Sequence, residues 1–243
     1  MRLSYFLLPI FIVSCTSQNK FTKAGVIHVT TKFYDKLTQQ YTIETIFPDM
    51  KLWYNKELFI EEIKTVETYR DTNGVATRKT PVAYYLFIDR NSKSFYHYSS
   101  FSDTARIIDK YILPDTAMIK GMGGWAFYRG SGISVAGTLE TLTDTIIEKI
   151  VYKRTQVPVI SNGFQVTIIA YQRCDRIGSV LQLDENLGKK LRCPVTRMDY
   201  LPSSVDPMPI SSEINYLRDS LTKEEIRIFD AWEKNMKRHP VSK

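Results

Sequence analysis

Few side chains in this 243-residue chain have the type and spacing that chemistry requires. The stretch Gly132-Ile133-Ser134-Val135-Ala136 comes closest to a nucleophile elbow, with alanine where the last glycine belongs. An elbow aims its serine from a strained strand-to-helix turn above a parallel α/β sheet. No alternation of strands and helices surrounds Ser134, so the match reads as coincidence. His97, Ser99 and Asp103 are near in sequence, but a triad is a geometry assembled across a fold. The histidines are His28, His97 and His239, without metal-like spacing. Catalytic zinc needs three converging protein ligands, and this supply reads as structural or solvated. Glu61 and Glu62 fall on opposite faces of a regular strand and cannot act there as a close carboxylate pair. The glycine-rich run 121–132 could offer amides to a phosphate, yet it matches neither phosphate-binding fingerprint. Its glycines suit tight turns beside Trp125 and Phe127, or a flexible rim for an apolar cavity. The expectation is therefore no catalytic residue, no metal site and no cofactor, with a hydrolase kept as the alternative.

One cysteine gives the specific signal. Arg2 precedes an apolar stretch that ends Ile12-Val13-Ser14-Cys15. The stretch is too short to span a bilayer comfortably and has the cationic start and apolar middle of a secretory signal. A small residue directly before cysteine resembles the lipobox of bacterial lipoproteins. The resemblance implies that residues 1–14 are removed and that Cys15 carries a thioether-linked diacylglycerol and usually an N-acyl chain. An ordinary signal peptide, or a buried first helix with a chance cysteine, is the competing reading. Residues 16–24 are polar and aperiodic, a tether between lipid and folded body. Thr16 stands where the inner-membrane retention signal of enteric bacteria has aspartate, which by resemblance implies outer-membrane delivery. No acidic run follows the cysteine, and the periplasmic face is expected.

An exported chain meets an oxidising compartment, so Cys174 and Cys193 read as a candidate disulfide. Such a bridge contributes roughly 3 kcal/mol in the chain-entropy treatment. Free buried thiols are the alternative, and an isolated pair lacks the partners of a structural zinc site. Net charge is +7, but no run of Lys and Arg exceeds two residues. No tract marks a nucleic-acid path, and the compartment implied by the signal holds no nucleic acid. Hydrophobic content of 43% allows a packed core, and the plentiful Tyr (15) and Phe (12) favour strands.

Strands must position most of these residues. From Gly25 onward Ile27, Val29, Thr31 and Phe33 alternate with His28, Thr30, Lys32 and Tyr34. Runs at 41–47, 51–54 and 58–69 continue the pattern, the last with a phase break at Glu61-Glu62. Asn73-Gly74 is a hairpin signal. The run 82–88 is apolar on both faces and pairs with 93–98 across a turn at 89–92. Residues 103–113 predict a short capped helix with Ala105, Ile108 and Ile112 on one face. Strands resume at 145–154 and 164–171, joined through Pro158 and a turn at 161–163. Prolines at 194, 202, 207 and 209 predict an extended surface connection over 194–210. Thr222-Lys223-Glu224-Glu225 fits a capping box, with Leu221 and Ile226 as its hydrophobic staple. Ile226, Phe229, Trp232 and Met236 then share one helix face, and Pro240 ends the helix. Glu224, Asp230 and Glu233 on the polar face argue for packing on the sheet rather than on a membrane.

Lipobox, short tether and then Ala24-Gly25-Val26-Ile27-His28-Val29 opening antiparallel strands is similar to Bacteroidota envelope lipoproteins. Examples are the GLPGLI-type proteins and the lipoprotein-carrier half-barrels, although the Gly-Leu-Pro-Gly-Leu-Ile string itself is absent. The resemblance implies a curved sheet with a helix such as 103–113 or 222–238 on its concave face, and it carries over no functional residue. The expected fold is mainly β (α+β), a curved antiparallel sheet or half-barrel with a short middle helix and a C-terminal amphipathic helix. Residues 1–14 are expected to form the signal, 15–24 the lipidated cysteine and tether, and 25–243 a single β domain. The expected function is a membrane-anchored envelope lipoprotein that binds or carries an apolar ligand. A structural or assembly lipoprotein acting through protein contacts is the alternative. Expected partners are membrane lipid through Cys15, and an apolar small molecule or envelope protein, with no nucleic acid.

Overall fold

A computed structural model describes residues 24–35, 40–42, 49–74, 76–114, 134–161, 164–176, 181–201 and 210–241. Residues 1–23, which include Cys15, its signal and all of the tether but Ala24, lie outside the described residues, as do residues 43–47 and the run 121–132. The first half is a meander of β1 (Ala24–Asp35), β2 (Gln40–Thr42), β3 (Met50–Asn55) and β4 (Leu58–Lys64), then β5 (Glu67–Arg70), β6 (Ala76–Lys79), β7 (Val82–Asp89), β8 (Ser94–Tyr98) and β9 (Ile107–Ile112). The second half holds β10 (Ser134–Val135), β11 (Glu140–Ile147), β12 (Ile150–Ser161), β13 (Phe164–Gln172), helix α1 (Glu185–Leu191), β14 (Val195–Tyr200), β15 (Ile210–Arg218) and helix α2 (Lys223–Arg238).

Thirteen of the described strands form one sheet in the order β10-β12-β13-β14-β15-β1-β3-β4-β7-β8-β9, with β11 on β12 and β2 on β1. The first and last strands meet in its middle, Val29 opposite Ile214, so β1 and β15 fasten the two halves together. At the start of β1 the backbones approach so closely that a Cβ on Gly25 would lie 2.6 Å from the Arg218 carbonyl oxygen. Only glycine leaves that room. The fold is mainly β, a curved antiparallel sheet with short helices, open rather than closed into a barrel. β5 and β6 stand off it as an exposed two-stranded ribbon whose turn uses Gly74 at φ +81.

Successive side chains point to opposite faces, and β3, β4, β7 and β8 bury both. One face joins Ile27, Leu52, Phe59, Ile88 and Phe95 to Val157, Ile168 and Met198, with Leu187 of α1 packed in. The other sets Val26, Trp53, Ile60, Phe87, Tyr96 and Tyr98 against Ile228, Phe229 and Trp232 of α2. The two helices thus cover opposite faces of the sheet.

The start of α2 follows its sequence signal. Thr222 Oγ1 accepts from the Glu225 amide at 3.2 Å, and Glu225 Oε2 accepts from the Thr222 amide at 2.7 Å. Its buried stripe runs Glu225, Ile228, Phe229 and Trp232, and Ile226 is 44% exposed. At 100° per residue Ile226 sits about a quarter turn from the centre of that stripe, so it does not belong to the buried face that Phe229 and Trp232 share. Glu225 also accepts from Trp53 Nε1 at 2.8 Å and Arg218 at 2.6 Å, tying the helix start to β3 and β15. Burial pushes this carboxyl up, but the donors from Thr222, Arg218 and Trp53 outweigh it and hold the group below its ordinary range. A carboxylate with a depressed folded pKa stabilises above the unfolded value and loses that contribution as pH falls through the folded one. Glu225→Gln should cost about 2 kcal/mol at neutral pH. In urea unfolding the gap between variant and parent should narrow as pH falls below the ordinary glutamate range and close once it passes the depressed folded value; a constant gap would show that charge plays no part.

Four expectations are corrected. Residues 107–112 are strand β9, paired with β8, and not a helix. The i, i+4 spacing of Ile108 and Ile112 fits a helix, but a short apolar run does not separate helix from strand. The open edge of β8 decides it, leaving Ile108 61% exposed. The short helix lies instead at α1, where Asp184 accepts from the Leu187 amide at 2.8 Å. Residues 195–200 are strand β14 between β13 and β15, preceded rather than interrupted by Pro194, while Pro202, Pro207 and Pro209 lie outside the described residues. The stretch 145–154 contains a hairpin turn at Glu148-Lys149, and Pro158 sits inside β12 rather than in a connection. β11 pairs up to Gln156 and β10 begins at Val159, so Pro158 occupies the gap where no amide is needed. The irregularity in β4 falls between Ile63 and Lys64, not at Glu61-Glu62.

Candidate functional site

At the end of the sheet where β1 begins, three pieces enclose a groove: the β7–β8 turn, the end of β9 and the end of α2. Asp89 shapes the turn, accepting from the Asn91 amide at 3.0 Å and from Ser92 Oγ at 2.6 Å. An aspartate that bonds its own backbone two residues on is an ordinary turn-former. The end of α2 is tied down by Tyr96, whose hydroxyl donates to the His239 carbonyl at 3.2 Å. Lys110 Nζ donates to the carbonyls of His239 and Pro240 at 3.1 and 3.0 Å. A cation there satisfies helix-end carbonyls and opposes the negative dipole end. Burial raises the Tyr96 hydroxyl above the phenol range, opposed by a backbone hydrogen bond at Val241. It stays protonated and donating.

The groove between these pieces has a volume of about 740 Å³, within the range of small-molecule sites. Tyr96, Ile112, Leu113, Met236 and Val241 give it apolar walls, and Asp89, Ser92, Lys93 and Lys237 give it a polar rim. Lys237 also pairs with Glu233 at 2.6 Å. Apolar walls with a mixed rim suit a ligand that has a hydrocarbon body and a polar head.

The α1 face is filled where its core is described. Ile27, Leu52, Tyr54, Phe59, Ile88, Phe95, Val157, Val159 and Ile168 have no exposed surface, so they border neither bulk water nor a void large enough for one. His97 lies on this face, stacked on Tyr84 at 4.4 Å and meeting the edge of Tyr111 at 5.4 Å. Burial holds the His97 imidazole below its ordinary pKa, against the pull of Asp109, so it is neutral at pH 7. Glu61 is fully buried, while Glu62 pairs with Lys64 at 3.1 Å on the opposite face.

The sequence candidates do not converge. Asp103 pairs with Arg227 at 2.8 Å and the Ser99 amide donates to the Arg106 carbonyl, so neither is joined to His97 as a triad. Ser134 opens the two-residue β10, paired with Ile160, which is no strand-to-helix turn. His239 is the α2 C-cap, its amide donating to the Asn235 carbonyl at 2.9 Å. Cys174 and Cys193 are joined in a disulfide across 19 residues that brackets α1. Among the described residues, no group of three His, Cys, Asp or Glu side chains is placed to hold a metal ion. No described helix is long and apolar enough to cross a membrane.

Two arrangements had no counterpart in sequence spacing. His28 Nε2 lies 2.6 Å from Asp49 Oδ2, and Lys64 Nζ donates to Asp49 Oδ1 at 3.0 Å. Burial pushes Asp49 up, but its bonds to Lys64 and His28 outweigh this and hold it below the usual carboxylate range. Each charge meets its opposite, and the group clamps β1 to β4 beside the start of β3. The groove is the other: it joins Tyr96 to a helix end 143 residues later. The sequence matches no protein-family model and no curated protein.

Proposed function

We propose that this chain is an envelope lipoprotein, held to the membrane by lipid on Cys15, whose folded part binds an apolar ligand with a polar head. The groove beside Met236 carries this reading, because its volume and walls suit an acyl chain and its rim offers Lys93 and Lys237 to a head group. The chain emerges at Ala24 on the same end of the sheet, so a ligand drawn from the membrane that holds Cys15 has a short path. A second reading is an assembly lipoprotein acting through protein contacts, and the filled α1 face favours it.

Native mass spectrometry of protein extracted from cells should show a bound lipid mass beyond the acylated chain. Leu113→Trp with Met236→Trp fills the groove and should lower lipid occupancy about tenfold, equivalent to about 1.4 kcal/mol. The unfolding midpoint should move little, since both side chains are partly exposed. A parent protein with no bound mass under any extraction would sink the carrier reading and leave the assembly one.

A further inference from the structure

We propose that the end of the sheet where β1 begins is a bilayer-contact surface, and that the β11–β12 hairpin tip enters the headgroup layer of an anionic membrane there. Its orientation rests on the lipidation of Cys15 proposed above; the surface itself is read from side chains.

Strand pairing defines this end. Ala24 lies opposite Asn55, Asn55 opposite Leu58, Leu58 opposite Asp89, Asp89 opposite Ser94 and Ser94 opposite Ile112. Antiparallel alternation brings the β11–β12 turn, the end of β13, the start of β14 and the end of β15 to the same end. Residues 16–24 join Cys15 to it. Fully extended they reach about 30 Å, and as a flexible coil about 17 Å. Lipid on Cys15 would therefore hold this end, and not the β5–β6 ribbon, nearest the bilayer.

The tip has the chemistry for that position. Pairing of β12 with β13 stops at Lys153 opposite Gln172, whereas β11 and β12 continue to Ile147 opposite Ile150. The hairpin thus stands beyond β13. Ile146 and Val151 face each other across it, 70% and 59% exposed, and neither belongs to an apolar cluster of the core. An aliphatic pair held in water at a projecting tip gains nothing from the fold. Lys149 in the turn supplies a cation beside those apolar side chains, the combination that a headgroup boundary accommodates.

Charge at the same end agrees. Lys56, Lys93, Lys149 and Arg192 occupy left-handed backbone positions, φ 56, 57, 69 and 59, where glycine would be unstrained. Basic side chains stand at these four despite that cost, while the fifth such position, at φ 51, is the acidic Glu148. Acidic Glu57 and Glu148 share two of the turns, and Glu57 lies 3.6 Å from Arg90. The β5–β6 ribbon at the far end also exposes Tyr69, but there Glu67 accepts from its hydroxyl and Lys79 lies over its ring. That ribbon is the control.

The test uses the full chain on vesicles of phosphatidylglycerol and phosphatidylcholine whose acyl chains carry a fluorescence quencher. Ile146→Cys or Thr77→Cys carries an environment-sensitive dye. The dye at 146 should shift to the blue and be quenched several-fold more than at 77, less so without phosphatidylglycerol, and Val151→Glu should remove the difference. Equal quenching at the two positions overturns the proposal. A blue shift without vesicles that grows with protein concentration assigns the tip to a second copy and overturns it as well. Intact mass reports Cys15 separately: an unmodified cysteine with a quenched tip removes the anchor and keeps the contact, and a lipidated cysteine with an unquenched tip does the reverse.

Discussion

Trp232→Ala should destabilise the protein by about 4 kcal/mol, the largest loss expected of any single side chain on α2. The indole has no exposed surface and lies flat on Tyr98 at 3.9 Å. Phe87 and Phe101 meet it edge-on at 5.8 and 6.2 Å. Its Nε1 donates to the Ser102 carbonyl at 2.8 Å, which binds the turn before β9 to the helix. Truncation removes apolar burial, opens a void that ring neighbours cannot fill by small shifts, and strands a buried carbonyl. Trp232→Phe keeps most of the packing and loses the hydrogen bond, so it should cost about half as much. Urea unfolding measures both, and faster amide exchange along α2 should accompany the alanine variant. A loss below about 1 kcal/mol would mean that α2 does not dock on this face.

Replacing Cys174 and Cys193 together by serine should cost about 3 kcal/mol. The bridge closes a loop spanning 19 residues, and without it the unfolded chain regains the conformations that the crosslink removes. The loss should be felt first at α1, a helix of seven residues too short to persist without its attachments. Leu183 and Leu187 would then leave the core beneath it. The melting temperature should fall by roughly 6–12 °C for a chain of this size, and the parent in reductant should fall to the same value. Labelling of both thiols in unreduced protein, with no response to reductant, would contradict the bridge.

Several features were legible because they are short-range. The alternation from Ile27 to Phe33 has the period of a strand, and β1 follows it. Thr222 and Glu225 are three residues apart, which suffices for a capping box whatever lies around it. Asn73-Gly74 announced the ribbon turn for the same reason: only neighbouring dihedrals enter. Residues 107–112 were not legible, because their spacing satisfies two periods and the unpaired edge of β8 supplies the missing term. Pro194 directly precedes β14, and its presence did not tell that a buried strand follows it.

The sequence by itself determined the mainly β character, the position of α2 and its cap, since alternation and capping are properties of a few adjacent residues. Only the tertiary structure decided that β15 pairs with β1, that Glu225 serves Trp53 and Arg218 as well as its own helix, and that Tyr96 meets His239 to wall a groove. Most of those contacts join residues far apart along the chain, and Arg218, seven residues before Glu225, reaches it only because β15 and α2 are packed together. No local pattern encodes them, because their free energy comes from surfaces that exist only after the sheet has assembled.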